Sequence, residues 1–122
     1  MVKTNHSLWQ ESPRKLIIAN LEIASSFWTR SVGLLGRGEL LPDRGLYIEG
    51  CNSIHTFGMK FAIDVVFLDS DGVVLKVDTR VNPWRVRGPV RGAKSVVETA
   101  AGGARELRPG MRVIIRQHNS AG

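Results

Sequence analysis

The side chains best suited to chemistry fall in one short stretch, Cys51-x-x-x-His55-x-x-x-Met59. Thiolate, imidazole and thioether are soft ligands, and copper(I) favours Cys and Met. A spacing of four puts all three on one face of a strand, where residues four apart stand ~13 Å from one another. The same spacing would align them along one side of a helix. Convergence on one ion therefore needs helical winding or a bend at Gly58. Cys and Met are also ordinary core residues. The expectation is of no cofactor and no bound metal, with Cys51, His55 and Met59 as the ligand set to check.

Asp64 is the more informative group. It opens the apolar run Ile63-Asp64-Val65-Val66-Phe67-Leu68, so its carboxylate is expected to be buried and to need donors. Arg30, Arg37 and His55 are the candidate donors. An Asp–His pair is half of a catalytic triad, and Ser53, Thr56 or Cys51 would supply a nucleophile. His55, Asp64 and Cys51 are thus the candidate catalytic residues, although the strained Gly-x-Ser-x-Gly elbow is missing. The plainer reading is a buried polar network that anchors a helix to the sheet, and Glu98 reads the same way. Hydrolysis by paired carboxylates would need Asp64 and Glu98 side by side. Cys51-Asn52-Ser53-Ile54-His55-Thr56 places five polar or reactive side chains within six positions. A pure core strand would have to find partners for all of them, so this segment is expected to line whatever site exists.

Charge adds a second focus. The 122 residues carry a net charge of +6, but residues 1–75 are net −1 and residues 76–122 net +7. Arg80, Arg85, Arg87, Arg91 and Lys94 cluster around Trp84 and two prolines. Such a cluster can meet phosphates or an acidic partner, and Trp84 can act as a stacking platform. Arg30, Arg37, His55, Thr56, Met59, Arg85 and Arg87 are the candidate ligand contacts. The bland alternative is a solvated, arginine-rich loop.

The elements that must position these groups read as mainly β. Residues 1–13 look like a flexible polar lead-in, 14–117 like one β-rich domain and 118–122 like a tail. Residues 16–24 alternate with a period of two and predict a strand. Ser25 or Ser26 can cap a following helix that ends near Gly36 or Gly38. Residues 46–50, 61–68, 73–77, 96–97 and 111–116 are strand-like, and Asp69-Ser70-Asp71-Gly72 predicts a hairpin turn. A short turn or helix is expected around Gly102–Leu107.

At 43% hydrophobic and 23% charged residues, the composition is that of an ordinary globular domain. No apolar run approaches the ~20 residues of a membrane span, and the first residues carry no secretory segment, so a cytoplasmic location is expected. A single cysteine excludes an intrachain disulfide.

Arg30-x-x-Gly33-Leu34-Leu35-x-Arg37, Gly45-Leu46, Ile54-His55-Thr56-Phe57-x-Met59 and Ile63-Asp64-x-x-Phe67-x-Asp69-x-x-Gly72 occur in that order. Pro83, Glu98 with Gly102, and Pro109-Gly110 follow. From about Leu21 to Val113 this set resembles the domain of unknown function 192 family. Many relatives carry Phe-Trp-Met-Lys-Asn-Thr where this chain has His-Thr-Phe-Gly-Met-Lys, so it looks like a His-Thr subgroup. The resemblance implies a compact β-sandwich or barrel-like fold with short helices, here one longer and one short, and no particular activity.

The leading reading is therefore a binding or accessory module without chemistry, using the 55–59 segment and the 80–94 loop to meet an acidic protein or a phosphate-bearing ligand. A hydrolase-like enzyme built on His55 and Asp64 is the alternative. Weak nucleic-acid binding through the basic C-terminal half is the second.

Overall fold

A computed structural model describes residues 2–24 and 39–118. Among the described residues there are nine strands: β1 (Val2–Gln10), β2 (Lys15–Ala24), β3 (Arg44–Glu49), β4 (Ile54–His55), β5 (Ile63–Leu68), β6 (Val74–Val81), β7 (Val86–Arg87), β8 (Ser95–Ala100) and β9 (Val113–Gln117). Seven form one sheet in the order β6-β5-β8-β3-β2-β1-β9, and β4 pairs with β7 in a separate two-stranded ribbon. Only β2 and β3 run parallel among these pairs. The fold is mainly β, a curled half-barrel.

β5 explains why the sheet has two cores. Its residues are apolar on both faces apart from Asp64, and all six are buried, as suits a strand flanked by β6 and β8 and covered above and below. Val66 and Leu68 join Leu8, Ile18, Leu21, Val74, Val97, Leu107 and Val113 in an inner core. Ile63, Val65 and Phe67 join Ala24, Leu46, Ile48, Val81 and Val96 on the other face. That outer core is covered by Leu40, Cys51, Ile54, Met59, Ala93 and Val90 from the connecting segments.

The two edges of the sheet meet at one end. Val73 bridges Arg112, the Val74 amide donates to the Met111 carbonyl at 2.7 Å, and the Val113 amide donates to the Gly72 carbonyl at 2.9 Å. The Asp69–Gly72 turn that closes the expected hairpin thus also closes the half-barrel. Asp69 Oδ1 accepts from the amides of Asp71 and Val73, a local turn bond of the kind that suits aspartate there.

Two expectations are corrected. Residues 2–10 are not a loose lead-in but β1, paired with β2 on one side and β9 on the other. Register shifts near His6, Leu8 and Trp9 break the alternation, and Ser7, Leu8 and Gln10 are all buried. The short helix near Gly102–Leu107 is a run of turns. Its backbone bonds run from Gly103 to Ala100, Arg105 to Gly102 and Leu107 to Ala104, each three residues back. The Gly102 and Ala104 amides leave the local chain altogether and donate to Asp64. The longer helix, Arg30 and Arg37 lie outside the described residues. No helix among the described residues is long and apolar enough to cross a membrane.

Candidate binding face

Asp64 is fully buried, at 0% exposure. Its donors are backbone amides. Oδ1 accepts from Arg80 N at 2.9 Å, and Oδ2 accepts from Gly102 N at 2.9 Å and Ala104 N at 3.1 Å. The first of these has a clear origin. Ile63 pairs with Val81 but Val65 pairs with Asp78, so two residues of β6 face Asp64 across a bulge. Arg80 sits there at φ +50°, and the amide that the bulge removes from the ladder is taken up by the carboxylate. His55 is not a partner. It is exposed, and its Nδ1 accepts from the Phe57 amide at 3.3 Å. Asp64 and His55 thus have separate partners and form no dyad.

Asp64 and Glu98 are not side by side either. Asp64 lies opposite Thr99, whereas Glu98 lies opposite Val65, so the two carboxylates project from opposite faces of the sheet. Glu98, itself buried, lies on the outer-core face in a row that runs through Leu46 to the buried Glu22. The third candidate set also divides. Cys51 and Met59 belong to the outer core while His55 points to solvent, and Cys51 Sγ donates to the Ser53 carbonyl at 2.8 Å. Among the described residues, no group of three His, Cys, Asp or Glu side chains could hold a metal ion.

Thr56 is brought together with the basic loop. It is fully buried, and its hydroxyl donates to the Asn82 carbonyl at 2.7 Å and accepts from the Arg85 amide at 2.9 Å. Its own amide donates to the Arg85 carbonyl at 2.9 Å, and its carbonyl accepts from Trp84 N at 3.1 Å. One threonine therefore fixes four backbone groups of residues 82–85. Trp84 is held at φ +65°, a conformation that costs an ordinary residue about 1–2 kcal/mol and persists only where neighbours impose it. Thr56→Val keeps the shape and removes the hydroxyl, stranding the Arg85 amide. We expect a loss of about 1–2 kcal/mol in urea unfolding, with faster exchange of the Arg85 amide hydrogen. Unchanged exchange at Arg85 would show that the loop is held by other means.

The clamp presents a stack of rings. His55 and Phe57 lie 4.9 Å apart between centroids with their planes inclined by 28°, and Phe57 and Trp84 lie 5.7 Å apart at 24°. Phe57 is 43% exposed and Trp84 66%. The β4–β7 ribbon pairs His55 with Val86, so the exposed Val86 extends the apolar strip. The segments that carry the stack also carry exposed cations, Lys60, Arg80, Arg85, Arg91 and Lys94, with Arg87 half-buried. Arg85 and Arg87 each donate one guanidinium N–H to the preceding carbonyl, that of Trp84 and of Val86. Gly88 (φ +91°) completes the support, because a Cβ there would lie 2.6 Å from the Asn52 carbonyl oxygen.

Sequence reasoning reached His55, Thr56, Trp84 and the arginines but not Phe57 as a site residue. Its signal was available, since residues 55 and 57 share a face at a period of two. It did not anticipate a Ser–His contact either. Ser7 Oγ lies 2.7 Å from His118 Nε2 and accepts from Trp9 Nε1 at 2.8 Å. Ser7 is 1% exposed, which fits a tie between β1 and the end of β9 and not a nucleophile. A separate cleft of about 440 Å³ is lined by Leu16, Ile17, Pro42 and residues 100–103, 105 and 106. At its rim Glu106 hydrogen-bonds Lys15, which lowers the pKa of that exposed carboxyl.

The half-barrel thus holds a ring stack and a cationic loop in place on one face. The chain belongs to the domain of unknown function 192 family (Uncharacterized ACR), whose sequence pattern matches residues 9–115. It is 36% identical over 88 residues to a UPF0127 protein of Pyrococcus abyssi, covering 67% of this chain and 72% of that one. It is also 36% identical over 92 residues to a UPF0127 protein of Pyrococcus horikoshii, covering 73% and 79%. Two crystal structures share the fold. A candidate transcription regulator from Sinorhizobium meliloti matches with a TM-score of 0.76 at 21% identity, over 89% of this chain and 90% of that one. A protein of unknown function from Novosphingobium aromaticivorans matches with a TM-score of 0.75 at 19% identity, over 89% and 82%. At such identities the likeness is one of fold.

Proposed function

We propose that this chain is a non-catalytic binding module for an anionic ligand, and that its ligand face is the β4–β7 ribbon with residues 80–94. The observation that carries the reading is the Thr56 clamp. A buried threonine holds a strained tryptophan and its flanking arginine in fixed positions at the surface, and ordering a loop before the ligand arrives reduces the entropic cost of binding. The exposed ring stack and the surrounding cations supply complementary contacts, apolar and electrostatic. His55, Arg85 and Arg87 belong to this face, and the buried Thr56 holds it from beneath. Met59 and Cys51 support it from the outer core. The module takes in β1 through β9 as one domain. A cytoplasmic setting is part of the reading.

The test is the amide NMR spectrum, titrated in turn with a nucleoside triphosphate, an oligoglutamate peptide and zinc. Shifts clustered at residues 54–60 and 80–94 with either anion support the reading. Shifts confined to the Leu16–Glu106 cleft, or none with either anion, would overturn it. Hydrolysis of the triphosphate, abolished by His55→Ala, would restore the enzyme alternative.

A further inference from the structure

We propose that the open face of Trp84 is a stacking site for unpaired bases, and that this surface takes single-stranded nucleic acid. The proposal rests on the binding reading above and gives its ligand a chemical class. His55, Phe57 and Trp84 form a rack of three rings within 28° of parallel from one to the next. Phe57 occupies one face of Trp84, and the residue remains 66% exposed, so the rack ends in a free aromatic surface. A nucleobase continues such a rack as a further ring, and every base offers a π-face for it.

The cations complete the match. Arg85 adjoins the end ring in the chain, and Arg87 lies opposite Ile54 across the ribbon. Arg85 spends one guanidinium N–H on a backbone carbonyl and keeps the others for phosphate, whereas Arg87 also pairs with Asp78, Nε to Oδ2 at 3.9 Å, and offers the N–H groups that remain. Arg80 and Lys60 are exposed at the two ends of the clamped segments.

A duplex fits this surface poorly. Its bases are already stacked and paired, the described residues include no helix to enter a major groove, and each strand of the ribbon is two residues long. An acidic peptide would engage the arginines but leave the ring rack without a purpose. Stacking without base-edge contacts also means that binding should tolerate most sequences.

The experiment uses the full chain and a fluorescein-labelled oligothymidylate of about 12 nucleotides. Its controls are an abasic deoxyribose-phosphate strand of equal length, a duplex of equal length and an oligoglutamate peptide. The oligothymidylate is expected to bind about tenfold more tightly than the abasic strand. Trp84→Ala should remove about that factor for the oligothymidylate and nothing for the abasic strand, while Trp84→Phe keeps most of it. Arg85→Ala combined with Arg87→Ala should reduce the slope of log affinity against log salt by about 1.4. Equal affinity for the abasic strand, or tighter binding of duplex or oligoglutamate, would overturn the single-strand proposal and leave the anionic binding face standing. If none of these probes binds at low salt, both fall.

Discussion

Asp64→Ala is expected to lower the unfolding free energy by about 3 kcal/mol. The variant leaves three backbone amides, those of Arg80, Gly102 and Ala104, without the acceptor that now holds them. A buried donor left unsatisfied costs about 1–3 kcal/mol, and some entry of water into the vacated space keeps the sum below the simple total. The melting point should fall by roughly 10 °C or more. Asp64→Asn should cost less than the alanine variant, because the amide retains one acceptor oxygen but turns donors toward the remaining N–H groups. The urea midpoint is the measurement. A midpoint unchanged within error for Asp64→Ala would mean that the bulge and the 101–106 turns stand without their anchor.

Gly72→Ala should be nearly as severe, for a steric reason. Gly72 has φ +81°, and a Cβ there would lie 2.8 Å from the Val113 carbonyl oxygen. That oxygen belongs to backbone and cannot swing aside as a side chain would. The left-handed conformation alone costs an alanine about 1–2 kcal/mol, and relieving the overlap must loosen the contact between the two sheet edges. We expect about 2–4 kcal/mol in all. Gly110→Ala is the control. Its φ is +94° but nothing lies within 4 Å of the new Cβ, so only the conformational cost applies. Equal losses for the two variants in a melting experiment would show that the closure between Gly72 and Val113 contributes nothing of its own.

Much of the sheet was legible because its strands follow local rules. β5 announced itself by an apolar run broken only by Asp64, and the β5–β6 hairpin by Asp69-Ser70-Asp71-Gly72. The burial of Asp64 followed from its place in that run, and its need for donors followed from burial. Which donors was another matter. They are amides 16, 38 and 40 residues further along the chain, and no side-chain type marks them. β1 escaped notice because its bulged pairing breaks the period of two, and because it is held by partners on both sides more than by its own apolar residues. The expected short helix failed at Gly102-Gly103, where helix propensity is low and a remote carboxylate claims two amides. In the candidate site the residue types were readable, but the meeting of Thr56 with residues 82–85 depends on tertiary pairing alone.

The partnership of β1 with β9 sets the order in which this molecule can come into being. Residues at the start of the chain wait on the ribosome for Val113–Gln117 before β1 has its second neighbour. Asp64 likewise emerges long before the Gly102 and Ala104 amides that receive it. A nascent chain that has reached residue 100 therefore holds a buried-to-be carboxylate and an open sheet with nowhere to put either. Contacts this distant in sequence make folding slow relative to local structure. The half-barrel is completed only once β9 has been made, and until then its hydrophobic strands are the surface that a chaperone would meet.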